Sequence, residues 1–187
     1  METACETHYM RADSCNYPPA SADLNLEDWK LIEAAEGYYM LNQLAEVLAE
    51  LDQVSDRGRR NPRYLLTASG ALSGLRRYEE ALGVIGTLIR LNPLHEGARS
   101  FKANLLRAMN RDVDAYEILQ EAERLFPHNS TYKYDLGCVA AKIGQWEKAK
   151  GWIQAGINLR SLVKTFALAN PDLTPIHAEI QAMPLRN

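Results

Sequence analysis

Leu91-Asn92-Pro93 returns 34 positions later as Leu125-Phe126-Pro127. The same shift carries Ala81 to Ala115 to Ala149, Leu91 to Leu125 to Leu159, and Ile85 to Leu119 to Ile153. A period of 34, with small residues at one phase and apolar residues at others, points to stacked helix pairs. Small residues are needed where the two helices of a pair cross closely. Larger ones fill the wedge between neighbouring pairs. Proline follows the second helix because it cannot continue one, so it fixes the turn into the next pair. A single hairpin cannot bury its apolar face alone, and stacking supplies the core.

Laid out at this period, the chain gives units 62–95, 96–129 and 130–163. The last holds Leu136, Gly137, Gly144, Trp146 and Ala149, and the first holds Tyr78, Ala81 and Pro93. The middle unit keeps Ala115, Ala122 and Pro127. This pattern resembles the tetratricopeptide-repeat family, of bacterial type. Two positions depart from it: Asp112 stands where an aromatic is usual, and Lys102 where leucine is usual. A degenerate unit is expected over 28–61. There Leu31, Ala34, Ala35, Tyr38 and Leu41 make one helical stripe, and Leu44, Val47, Leu51 and Val54 make another. Val47 replaces the small alanine, and no proline closes this unit.

The resemblance implies an all-α, right-handed solenoid of stacked helix hairpins with a C-terminal capping helix. The expected organisation is a flexible tail over 1–22, a repeat domain over 23–163 and a capping segment over 164–187. The stretch Ala167-Leu-Ala-Asn-Pro-Asp-Leu-Thr-Pro resembles the segment that ends many bacterial repeat proteins of this kind. A solenoid needs such a helix to shield its last repeat.

Local signals agree with this layout. Asp23 or Asn25 is a plausible cap for a helix from Leu26, with Glu27 and Asp28 in its first turn. Asn61 before Pro62 is a typical helix start. Helices are expected near 63–74, 78–91, 97–109, 112–125, 131–143 and 146–159. A short helix over Ser161 to Ala169 ends at Asn170-Pro171, and another starts at Thr174-Pro175. Gly83 and Gly151 share one phase of the second helix. Each costs about 1 kcal/mol relative to alanine, and close backbone packing is the expected compensation.

The 187 residues are one domain's worth of chain, with ordinary apolar content and a net charge of −3 that argues against a polyanion binder. The apolar stretches are amphipathic and broken by charge, so no membrane span is expected. Met1 to Ala20 lack a basic start followed by an apolar run, so no signal peptide is expected. Three cysteines, Cys5, Cys15 and Cys138, are an odd count in a long chain and favour a reducing, cytoplasmic setting.

Nothing in the sequence assembles a catalytic or cofactor site. His8, His95, His128 and His177 include no pair at the i, i+4 spacing of two metal ligands on one helix. His95 and His128 fall in inter-repeat turns, where a solvated histidine is the default. Cys5, His8 and Cys15 match no standard zinc module and lack a fourth ligand. Cys138 has only Lys142 as a nearby cation. No nucleophile elbow or phosphate loop occurs, and Gly70 and Gly74 follow no strand. The run Arg57, Arg59, Arg60 and Arg63 reads as a solvated loop. The absence of interleaved aromatics counts against nucleic acid.

The expected function is therefore protein interaction. In proteins of the resembled family, the first helix of each pair lines a concave groove. Its groove phases fall here on Trp29, Ile32, Glu36 and Tyr39, then on Arg63 and Leu66, then on Phe101, Asn104 and Arg107, and last on Tyr134, Asp135 and Lys142. Such a groove takes a peptide or a helix of a partner protein. The carboxylate clamp for heat-shock chaperone tails is missing. Its positions hold Ile32, Glu36, Thr67, Gly97 and Phe101 in one frame, and Leu66, Gly70, Phe101, Thr131 and Asp135 in the next. Neither frame supplies the cations a carboxylate requires. Two further readings share the fold: a cytoplasmic secretion-type chaperone holding an export client, and a self-associating scaffold, so that a homo-oligomer is possible.

Overall fold

The computed structural model describes residues 24–185. The tail expected over 1–22 and the Cys5, His8 and Cys15 group lie outside them. The described residues form helices and no strands. The fold divides into two compact units, one up to Leu91 and one from Asn92.

The first unit holds α1 (Leu26–Met40), α2 (Leu44–Asp52), α3 (Pro62–Gly74) and α4 (Tyr78–Leu91). Its core is Ile32 and Ala35 of α1, Val47 and Leu51 of α2, Val54, and Ala68 and Ala71 of α3. The second unit holds α5 (Glu96–Ala108), α6 (Asp112–Leu125), α7 (Ser130–Lys142), α8 (Trp146–Leu159), α9 (Leu162–Ala169) and α10 (His177–Ala182). A 3-10 stretch, Pro171–Ile176, leads into α10, so the last helical segment begins earlier and winds tighter than its Thr174-Pro175 start suggested. The middle six helices fall within one residue of the ranges expected from the period.

The helix starts follow from cap chemistry. Asn25 accepts a hydrogen bond from the Asp28 amide, and Asn61 accepts one from Arg63 with Pro62 in the first turn. Asn129 caps α7 and Asn170 caps the 3-10 stretch in the same way. Each satisfies an amide that the helix itself leaves without a partner.

The turn inside each helix pair repeats at the same period. Asn42, Arg76, Asn110 and Gly144 all have positive φ, between 56° and 78°. Beyond each, an amide reaches back five residues: Gln43 to the Tyr38 carbonyl, Arg77 to Leu72, Arg111 to Leu106 and Gln145 to Ala140. This is the Schellman ending, which satisfies carbonyls at the helix terminus and reverses the chain. The helices then cross where the alanines stand. Ala81, Ala115 and Ala149 have no exposed surface. A Cβ on Gly137 of α7 would sit 2.5 Å from the Ile153 side chain of α8, so that crossing requires glycine.

Three expectations are corrected. Gly83 and Gly151 are not packed against a neighbouring backbone, because a Cβ at either meets nothing within 4 Å. His95 is buried rather than solvated, and burial pushes its imidazole pKa down. In α1, Leu31, Ala35 and Tyr38 pack toward the core as expected, but Ala34 and Leu41 face outward. The inward stripe is completed by Ile32 and Tyr39 instead.

One buried carboxylate ties the first helix pair together. Asp28 accepts hydrogen bonds from the Ser55 amide at 2.8 Å, the Ser55 hydroxyl at 2.6 Å and the Asn25 amide at 3.0 Å. Ser55 follows α2, so the contact closes the loop between the start of α1 and the end of α2. These hydrogen bonds, the Ser55 hydroxyl first, hold the Asp28 pKa below its usual 3.8. The loop then forms the 3-10 turn Gly58–Arg60, whose Gly58 lies against the Asp28 carboxyl.

Gly83→Ala and Gly151→Ala should each raise stability by about 0.5–1 kcal/mol, since alanine gains helix propensity and meets no atom. Gly137→Ala should lower it, and denaturant midpoints separate the two cases. Asp28→Asn should cost about 1–2 kcal/mol at neutral pH. Because folding lowers the Asp28 pKa, its contribution is present above pH 3.8 and fades as the pH falls through the lower folded value. The gap between wild type and Asp28→Asn should therefore narrow on acidification, read as melting temperature against pH.

Candidate functional site

The groove phases fall on different surroundings in the two units. In the first, α1 presents Trp29, Glu36 and Tyr39, and α3 presents Arg63 and Leu66. All five are half-buried. Arg63 donates through Nε to Glu36 Oε1 at 2.9 Å and through its terminal nitrogen to Oε2 at 2.5 Å. Its guanidinium also lies over the Trp29 ring, 5.8 Å from the centroid. The Glu36 hydrogen bonds raise the Arg63 pKa, and the exposed Glu33 adds to the effect. A two-pronged carboxylate pair fixes the guanidinium plane, and the aromatic face beneath it limits its motion.

Tyr39 lies one turn beyond Glu36. Its ring edge and hydroxyl would meet a Cβ on Gly70 at 2.9 and 3.0 Å. The glycine pair noted in α3 therefore admits side chains of α1 and α2. Gly70 admits Tyr39 and Gly74 admits Leu44, and neither glycine is a phosphate cradle. Ile32, given to the groove by its phase, is wholly buried in the core of this unit. The arginine loop is only partly solvated: Arg59 donates to the Val54 and Asp52 carbonyls and pairs with Asp52.

In the second unit, the chain's own C-terminal segment meets several groove residues. Asn170 donates from its side-chain amide to the Tyr134 hydroxyl at 3.0 Å and to Cys138 Sγ at 3.2 Å. Phe166 of α9 packs at a tilt against Tyr134, with ring centroids 6.4 Å apart. Asp172, two residues after Asn170, pairs with Arg107 of α5 at 3.2 Å. Lys142 pairs with Asp112 at 3.3 Å. That contact accounts for the acid at a phase where the family pattern has an aromatic, and it takes up the cation nearest Cys138 in sequence. Phe101 and Asn104 are half-buried on α5, and Asp135 is buried in α7.

Sequence reasoning missed a second polar network in this unit. Lys133 donates to Glu123 at 2.6 Å and lies 5.5 Å from the centroid of the Trp152 ring. Trp152 in turn donates to the Tyr116 hydroxyl at 3.1 Å. The Tyr132 hydroxyl donates to the Glu96 carbonyl, and burial pushes its pKa far up. These residues lie off the groove phases, and no local spacing connects them. Among the described residues, no cluster of His, Cys, Asp and Glu could hold a metal ion, and no helix is long and apolar enough to cross a membrane.

No protein-family profile and no curated protein matches the chain by sequence. Solved structures do match by shape. MamA from Desulfovibrio magneticus RS-1, from residue 41 to its end, superposes with a TM-score of 0.69 at 19% identity, covering 84% of this chain and 93% of that one. A MamA RS-1 double mutant gives 0.70 at 18% identity, covering 85% and 91%. YrrB, described as a tetratricopeptide-repeat protein with an unusual peptide-binding site, gives 0.58 at 15% identity, covering 81% and 85%. Likeness at such identities shows the fold alone: with the all-helical architecture, the chain has the helix-hairpin solenoid fold of these tetratricopeptide-repeat structures.

Proposed function

We propose that the chain is a non-enzymatic protein-interaction module. It takes a peptide or helix of a partner protein on the face formed by Trp29, Glu36, Tyr39, Arg63 and Leu66. The observation that carries this reading is the arrangement of Arg63, fixed by Glu36 and set over Trp29. Tryptophan, tyrosine and arginine contribute most to interface energy when they are held in place before binding. Here they are held and still half-exposed. The groove arginine and tyrosine of the second unit, Arg107 and Tyr134, are already engaged by Asp172 and Asn170. Phe101 and Asn104 on α5 remain secondary candidates.

The peptide-binding site in the description of YrrB supports a peptide as the ligand class on this fold. The odd cysteine count supports a reducing, cytoplasmic setting.

The test starts from a phage-displayed peptide library selected on the full chain. Binding of the selected peptides is then measured against Trp29→Ala, Arg63→Ala and, as a control, Lys142→Ala. The first two should weaken binding about tenfold or more, with helical content unchanged, while Lys142→Ala leaves it within about twofold. Equal binding by Trp29→Ala and wild type would move the site off this face. Failure to select any peptide would count against a groove that reads peptides.

A further inference from the structure

We infer that residues 170–176 are an internal ligand that closes the groove of the second unit, and that the external ligand is an extended protein segment whose glutamate displaces Asp172 from Arg107. The inference concerns the second unit alone. It does not rest on the face around Trp29 and Arg63.

The path of the chain comes first. Asn170 and Pro171 end α9, and the 3-10 stretch Pro171–Ile176 packs on α7 and reaches α5. Both α5 and α7 are first helices of their pairs, so the stretch crosses the face that a bound peptide would cross. Its contacts are also those of a peptide. Asn170 Oδ1 accepts from the Asp172 amide at 2.9 Å, which sets the spacing of the two side chains. The Asn170 side-chain amide donates to the Tyr134 hydroxyl and to Cys138 Sγ on α7. Asp172 Oδ2 accepts from Arg107 on α5 at 3.2 Å. Leu173 and Ile176 are buried and hold the stretch down. Polar groups that fix register, followed by a buried apolar anchor, are how grooves read extended segments.

The fit at Arg107 selects the competitor. Only a terminal nitrogen of Arg107 meets Asp172, and the buried Arg107 Nε has no acceptor among the described residues. Arg63 in the first unit shows the fuller arrangement, with Nε and a terminal nitrogen both on Glu36. A buried donor without an acceptor is destabilising, and a carboxylate that takes both nitrogens is the stronger partner for a guanidinium. Glutamate reaches one methylene further than aspartate and can meet both. The internal ligand therefore closes the groove without satisfying its strongest donor. Lys164 of α9 donates to the Gln181 and Met183 carbonyls at 2.7 Å, so both ends of the stretch are joined away from Arg107. Residues 170–176 lift as a loop while α9 and α10 stay fastened. Closure lowers the apparent affinity for a partner in proportion to the time the loop spends open.

The probe is a fluorescent synthetic peptide of residues 166–176 carrying Asp172→Glu, read by anisotropy against the full chain. The host carrying Asn170→Ala with Asp172→Ala should bind it at least about tenfold more tightly than wild type. Asp172→Lys, which leaves the Asn170 cap intact, should give the same gain. In both hosts the amides of 171–180 should exchange faster with deuterium, and added peptide should slow them again. Adding Arg107→Ala should abolish the gain, a peptide with Asp172→Ala should bind at least about tenfold more weakly, and Trp29→Ala should change nothing. Equal affinity of wild type and both loosened hosts overturns the proposal. So does binding that survives Arg107→Ala, unchanged exchange over 171–180 in both hosts, or fast exchange there without peptide binding.

Discussion

The four helix pairs from α1–α2 to α7–α8 each depend on one backbone reversal that L-amino acids adopt reluctantly. Asn42, Arg76, Asn110 and Gly144 each take the left-handed conformation one residue past the C-cap of the first helix. Glycine does so freely and asparagine at modest cost, whereas arginine gains nothing local from it. The conformation holds because the hydrogen bond reaching five residues back and the following helix together over-determine it. The reversal sets the crossing of the two helices, and the crossing determines why Ala81, Ala115 and Ala149 must be small. Residue identity at the turn varies while its geometry does not.

That asymmetry explains what the sequence disclosed. Burial repeats strictly, so the alanine phase and the prolines after the second helices made the period readable. Caps were readable because Asn25 and Asn61 act on amides two or three residues away. Gly83 and Gly151 misled because a glycine can mean close approach or merely a tolerated weak position, and only the neighbouring helix decides. Phase also assumes that each helix rolls on its neighbour to the same degree. In α1 the roll differs enough to send Ile32 inward and Leu41 outward, with Val47 at the crossing where the other pairs have alanine.

The candidate site was legible as a set of positions but not as a set of states. Periodicity could place Trp29, Glu36 and Arg63 on neighbouring helices, and residue chemistry then makes their pairing natural. It could not show that Asp172 reaches Arg107 across 65 positions, or that Asn170 reaches Tyr134 across 36. Those contacts come from a segment where the period has stopped. An ion pair or hydrogen bond already made must be broken, and its groups resolvated, before a ligand can use them. The same residue types on groove helices therefore offer a partner different things in the two units.

The Asn170 amide over the Cys138 thiol has a kinetic meaning. The sulfur is shut in by a side chain from beyond the last repeat, so a thiol reagent gains access only when that segment lifts or the unit unfolds. The rate at which Cys138 is alkylated thus counts openings of the C-terminal segment. At low denaturant it reads local fraying, and once the two rates merge it reads the collapse of the whole unit. The chain carries its own clock for how firmly its end is fastened.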